Sequence, residues 1–204
     1  MGYVPFFAFV FVSWPSLEED WPFEGSACDD RIAGVAGKQA AARNAGIWMD
    51  ALAMKITLAA IVPRRSRTKS EATDRLLADY VERAARYLPC DSQVFDAEAA
   101  LLEWLERQPG RAPAYAILLD SRGQQYSSEE FAGHLETLRD AGTQRLVLAV
   151  GPADGWSAAA RLRANRVLSL GRMTLPHQLA RVILAEQVYR AMTILAGHPY
   201  HAGH

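Results

Sequence analysis

The sequence predicts an α/β fold, a mostly parallel sheet with helices on both faces. Two observations carry this. From Met54 onward, short apolar runs of strand length alternate with longer amphipathic segments in the order βαβαβαβαβα, and such alternation builds parallel sheets covered by helices. Half of the 204 residues are hydrophobic, enough for the core that a two-sided sheet needs.

Residues 55–62 alternate and then run apolar, as a buried strand does. Pro63 to Ser70 is a basic loop carrying Arg64, Arg65, Arg67 and Lys69. Over residues 71–88 a helix is expected, with Leu76, Leu77, Tyr80, Val81, Ala84 and Leu88 on one face and Asp74, Glu82, Arg83 and Arg86 on the other. Val94 to Asp96 reads as a short strand. Ala97 to Arg107 reads as a second helix, ended by Pro109-Gly110. Tyr115 to Leu119 is a continuous apolar strand, and Gly123 is expected in the polar loop after it.

Ser127 and Glu130 have the spacing of a capping box, so a helix should run to about Ala141 and close at Gly142. Arg145 to Val150 is the next buried strand, followed by a turn from Gly151 to Gly155. Ser157 is placed to cap a short helix ending near Asn165. Val167 to Leu170 is the last strand, and Gly171 to Met173 a tight loop. Thr174 is placed to cap the long final helix, with Pro176 tolerated in its first turn.

Residues 1–53 read differently. The apolar run Phe6 to Val12 is far shorter than the roughly 20 residues a membrane span needs. No basic segment precedes it, and Ala51-Leu52-Ala53 lies far beyond it, so a secretory signal is disfavoured. The segment is expected to be a poorly ordered extension, with Met54 the candidate native start and 54–204 the domain. Charge is divided the same way. The net charge is −1, yet residues 54–204 hold 19 basic and 16 acidic side chains, which permits an RNA partner without requiring one. The two cysteines, Cys28 and Cys90, form no CxxC pair, which argues against a disulfide framework and fits a reducing cytoplasm.

The familiar nucleotide signatures are absent. No GxGxxG follows the first strand, no GxxxxGK[ST] occurs, and no GxSxG elbow appears. Attention therefore falls on the loops after Leu119, Val150 and Leu170, because ligands in open α/β sheets bind at the C-terminal ends of strands. Gly151, Gly155 and Gly171 would allow backbone to approach a ligand there. His177, His198, His201 and His204 have partly metal-like spacing but no accompanying carboxylate or cysteine, so no metal site is expected. Glu186 and Arg190 stand four apart on the last helix, either as a surface ion pair or as a partly buried one.

The C-terminal segment is more specific. Thr174-Leu-Pro-His, Arg181-Val182, Leu184-Ala-Glu-Gln-Val-Tyr-Arg-Ala191 and His198-Pro-Tyr-His201 occur in that order and closely resemble the signature of the RlmH family of SPOUT, or α/β-knot, methyltransferases. Ile117-Leu-Leu-Asp120 and Ala153-Asp-Gly-Trp-Ser157 agree. The likeness covers Met54 to His201. It implies a C-terminal trefoil knot, S-adenosylmethionine bound bent within it, and a homodimer joined through the final helices. It also implies N3 methylation of a pseudouridine in the helix 69 loop of 23S ribosomal RNA on the assembled ribosome.

By position, the resemblance gives Leu119, Gly151, Leu170, Gly171, Arg172, Met173, Thr174 and Leu175 to the methyl donor. Tyr200 and His201 would face the target base across the dimer. Where the family has two glycines, this chain has Gly151-Pro152, and Ala202 stands where a basic residue is usual. His201 is the first candidate for the base that removes the N3 proton, with Glu186 or a water in reserve. Tyr200 either stacks on the base or packs at the dimer seam. The basic loop at Arg64 to Lys69 either grips phosphate or is simply solvated. Two rival readings share these residues: a SPOUT methyltransferase with another RNA target, and an RNA- or ribosome-binding protein without catalysis. Mapping the modified nucleotide would separate the first; donor binding would separate the second.

Overall fold

In a computed structural model, the structure describes residues 54–64, 71–107 and 112–201. The element order is β1 (Lys55–Ile61), α1 (Glu71–Ala85), β2 (Cys90–Phe95), α2 (Glu98–Glu106), β3 (Tyr115–Gln125), α3 (Ser128–Asp140), β4 (Arg145–Val150), α4 (Ala158–Arg163), β5 (Arg166–Ser169) and α5 (His177–Leu195). A single 3-10 turn, Pro199–His201, follows α5. The five strands form one sheet in the order β2-β1-β4-β3-β5, and every pairing is parallel.

Alternation along the strands sorts the core into two layers. Ile56, Leu58, Ala60, Leu146, Leu148 and Val150 face α1, α3 and α5, which contribute Leu77, Leu135, Val188 and Met192. The alternate residues Ala59, Ile61, Val147 and Ala149 face α2 and α4, which contribute Leu101 and Ala160. This is the helix-on-both-faces arrangement that the run of alternating elements predicts. Small residues at 59 and 149 on the second face meet two short helices; bulkier residues meet the three longer ones.

Several boundaries follow the expected chemistry. Ser127 and Glu130 form both halves of the capping box, and α3 closes beside Gly142 at φ +77°. Ser157 accepts a hydrogen bond from the Ala160 amide at the start of α4. β4 spans Arg145–Val150 as read from the sequence.

Others are corrected. β3 does not stop at Leu119 but continues to Gln125, so Gly123 lies in the strand. Leu119 and Gln124 both register opposite Leu168, so residues 120–123 form an irregular insertion in the ladder between them. A Cβ on Gly123 would lie 2.5 Å from the Leu168 carbonyl carbon, and the bare glycine is what permits this approach. Helix α1 ends at Ala85, three residues before Leu88, which is nevertheless buried in the turn beyond. Leu76 is 44% exposed rather than in the core. β2 begins at Cys90 instead of Val94. β5 is Arg166–Ser169, one residue earlier than read. Thr174 does not cap the last helix: the cap position is Pro176, which makes no side-chain cap hydrogen bond, and the helix starts at His177. In the basic loop, Arg64 pairs with Asp96 at 2.6 Å. Residues 1–53 and 65–70, Pro109-Gly110 and His204 lie outside the described residues.

Candidate active site

A cleft of about 500 Å³ opens where the β3–β4 ladder ends at Leu119, beside the C-terminal ends of β4 and β5, and reaches the start of α5. That is where parallel α/β sheets bind ligands, and the size suits a small organic molecule. Leu119, Gly151, Leu170, Gly171, Met173, Thr174 and Leu175 all line it. Arg172 does not; its side chain is exposed on the same loop.

Trp156 packs behind Gly151, in the core and not in the cleft lining. This indole is 4% exposed, and its Nε1–H donates to the Leu119 carbonyl at 2.8 Å. A Cβ on Gly151 would stand 2.8 Å from the indole, so the glycine lets the ring close against the strand end. Opposite, Gly171 adopts φ +142°, and Ser169 ties the turn by accepting from the Gly171 amide at 3.2 Å and donating to its carbonyl at 2.9 Å. Both features offer close backbone to a ligand.

Four further polar side chains belong to this region and were not singled out as ligand-facing from the sequence. Asp120 and Arg122 lie in the irregular insertion of β3 and line the cleft. Arg122 donates to Asp120 through Nε at 3.0 Å and Nη2 at 2.9 Å, and Arg161 stands 3.7 Å away. The Arg122 hydrogen bond is the largest influence holding the Asp120 carboxyl down at about 2. His177, at the first turn of α5, also lines the cleft. Burial first, then the Arg181 charge, lowers its pKa, while the backbone of Gly151 and Ile61 opposes the shift. Its Nε2 is buried without a hydrogen-bond partner. The local sequence gave weak signals for these: an Asp-Ser-Arg after an apolar strand, and a histidine at a helix start.

The three candidates for chemistry on the acceptor come together elsewhere. Tyr200 Oη donates to Glu186 Oε1 at 3.2 Å, and Arg190 Nε donates to the same oxygen at 2.8 Å. Arg190 lies over the Tyr200 ring, 5.0 Å from its centroid, and Tyr189 meets that ring edge-on at 4.8 Å. His201 places Nε2 2.6 Å from Glu129 Oε1 and Nδ1 3.5 Å from Arg190 Nη1. Glu186 and Arg190 have side chains only 16% and 18% exposed, which decides for the partly buried reading of that pair. Burial first, with help from Tyr80 and Glu186, raises the Tyr200 pKa. Glu129 is held at about 2 by its own backbone amide, by Ser127 and by His201, in that order. Glu186, Tyr200 and His201 therefore form one cluster, yet none of them lines the cleft.

Among the described residues no helix is long and apolar enough to cross a membrane. Residues 54–201 match the family described as "Predicted SPOUT methyltransferase". Ribosomal RNA large subunit methyltransferase H of Koribacter versatilis is 48% identical over 138 residues, 68% of this chain and 94% of that protein. The protein of the same name from Geotalea daltonii is 40% identical over 143 residues, covering 66% of this chain and 94% of its own length. The Rhizobium meliloti protein of that name is 58% identical over 85 residues, 42% of this chain and 53% of its own. A solved SpoU methyltransferase, AviRb from Streptomyces viridochromogenes in complex with AdoMet, is a distant likeness: TM-score 0.37 and 14% identity over 67% of this chain and 57% of that one. With a family match across the whole α/β unit and a relative of 48% identity along nearly its entire length, the chain belongs to the RlmH family of SPOUT methyltransferases.

Proposed function

We propose that this protein transfers a methyl group from S-adenosylmethionine to N3 of a pseudouridine in the helix 69 loop of 23S ribosomal RNA, acting in the cytoplasm on the assembled ribosome as a homodimer. The observation that carries the reading is the cleft at the end of the β3–β4 ladder and beside the end of β5, in which seven of the eight donor-facing candidates converge. Membership of the methyltransferase family and the names of the relatives support the reaction class and the RNA. The functional unit is taken as 54–204, with the C-terminal strands and loops forming the family's trefoil knot.

The residues present suit the donor. Leu119, Leu170 and Leu175 supply apolar walls, Gly151 and Gly171 expose backbone, and the unpartnered His177 Nε2 is a spare polar atom close by. When bound, S-adenosylmethionine supplies a methyl group already activated on a sulfonium, which departs as a neutral thioether. The protein's task is then alignment of the acceptor and removal of one proton.

His201 is the group proposed to take that proton. A ring that donates from Nε2 to the Glu129 carboxylate keeps its lone pair on Nδ1, where it faces Arg190 Nη1 at 3.5 Å, so proton removal would require the substrate to displace that guanidinium. Glu129 stays ionised at neutral pH and would stabilise the ring once protonated. Glu186 would fix Tyr200 and Arg190, and Tyr200 would stack on the base. Because this cluster lies apart from the cleft of its own chain, the reading places it at the cleft of a second copy.

His201→Ala is expected to lower kcat for methyl transfer to large ribosomal subunits by about 100-fold or more, while calorimetry still detects S-adenosylmethionine binding. Near-normal turnover would remove His201 from this role. Failure of the parent protein to bind the donor would favour a non-catalytic RNA-binding protein, the reading that Pro152, which has no amide N–H, keeps alive.

A further inference from the structure

Asp120 and Arg122 stand in the irregular stretch of β3 between Leu119 and Gln124, the two residues that register with Leu168. Their environments are opposite: the Asp120 side chain is 5% exposed and that of Arg122 is 70% exposed. Asp120 Oδ1 accepts from both the backbone amide and Nε of Arg122, each at 3.0 Å, and Oδ2 accepts from Nη2 at 2.9 Å. Arg161 of α4 approaches Oδ2 at 3.7 Å and is itself anchored by donation from Nη1 to the Trp156 carbonyl at 2.8 Å. One buried carboxylate is thus held between two guanidinium groups, and the cluster keeps a net positive charge.

The arrangement does little for stability. An ion pair with an exposed partner is largely screened by solvent, and burying a carboxylate has a cost that its partners must offset. What it does achieve is orientation. Two hydrogen bonds from Nε and Nη2 to one carboxylate orient the plane of the Arg122 guanidinium, and a third from its backbone amide ties the turn. Nη1 and the second Nη2 hydrogen are left without a bond to Asp120 on a largely exposed side chain at the cleft. A planar, immobilised fork of this kind matches the geometry of a phosphate group. Asp120 stays ionised far below neutral pH, so the hold on Arg122 persists throughout the working range. The high exposure of Arg122 points to a ligand that arrives from outside the cleft rather than one enclosed by it.

We propose that Arg122 anchors a backbone phosphate of the RNA acceptor at the edge of the donor cleft, and that the buried Asp120 is the positioning residue that aims it. This rests on the methyl-transfer reading above. The experiment measures methyl transfer from S-adenosylmethionine to purified large ribosomal subunits lacking the modification, at several salt concentrations, beside calorimetry of donor binding. Arg122→Gln is expected to raise KM for subunits about tenfold, to change kcat much less, and to flatten the log–log dependence of subunit affinity on salt by about one unit. Donor affinity should stay where it was. Arg122→Lys should restore the salt slope and part of KM. Asp120→Asn should raise KM with the salt slope largely kept, because the cation remains but is no longer aimed.

Loss of donor affinity in Arg122→Gln with an unchanged KM for subunits would overturn the proposal and assign the guanidinium to the donor's carboxylate. No change in either quantity would also overturn it, reducing the cluster to a surface ion pair. If the parent chain transfers no methyl group, the function itself fails and the anchor with it. An active parent with an indifferent Arg122→Gln removes the anchor alone.

Discussion

A missing Cβ shapes the cleft. Gly151 lets the Trp156 indole lie close enough to hold the Leu119 carbonyl, so one hydrogen bond joins β3 at Leu119 to the loop after β4. Gly151→Ala would push a methyl group to 2.8 Å from the ring and force the indole or the loop aside. We expect a stability loss of about 1–3 kcal/mol by urea denaturation, together with weaker S-adenosylmethionine binding by calorimetry. Unchanged donor affinity would show that this packing does not shape the donor site. That the stretches after Val150 and Leu170 line a cleft was legible from their place after strands, whereas giving Leu119, Gly151 and Leu170 to a donor rested on the resemblance. The pairing of Trp156 with Leu119, and of Asp120 with Arg122 and Arg161, was less legible. Those partners come from different loops, and no local pattern records which side chains a fold will bring together.

At the scale of elements, the order of strands and helices was read correctly, while several boundaries and one cap were not, for physical reasons. α3 and β4 came out as expected because a capping box and an unbroken apolar run are strong local signals. β3 was cut short because polar residues 120–125 look like a loop, yet Gln124 and Gln125 resume pairing with β5 after a register shift. Leu76 was assigned to the core on periodicity, but it falls off the edge of the otherwise correctly read stripe of Leu77, Tyr80, Val81 and Ala84. Thr174 has the chemistry of a cap but stands too early, since Pro176 takes the cap position. The glycine at 123 makes the β3–β5 pairing a testable element. Gly123→Ala places a Cβ 2.5 Å from a backbone carbon of Leu168, which no rotamer change relieves. The expected result is a loss of at least about 1–3 kcal/mol in urea denaturation, with hydrogen exchange faster in β5 than in β1. Protection unchanged in β5 would show that the two strands do not depend on this contact.

At the scale of the whole molecule, the candidate donor residues and the candidate acceptor residues form two separate groups in one chain. The first lies at the end of the β3–β4 ladder and beside the end of β5; the second joins the end of α5 and its final turn to the start of α3. The fold class was readable from alternation alone, whereas the knot, the donor and the RNA rested on the resemblance carried by Thr174 to His201. Alternation fixes layers of secondary structure, but it says nothing about how the chain threads them or which ligand the strand ends receive. The proposed activity therefore depends on chemistry that only a reaction reveals. Purified protein and S-adenosylmethionine should be incubated with large ribosomal subunits from cells lacking the modification, and the 23S RNA fragments analysed by mass spectrometry. The account predicts one added methyl group, at N3 of a pseudouridine in the helix 69 loop. A methyl group on any other nucleotide, or none at all, would contradict it.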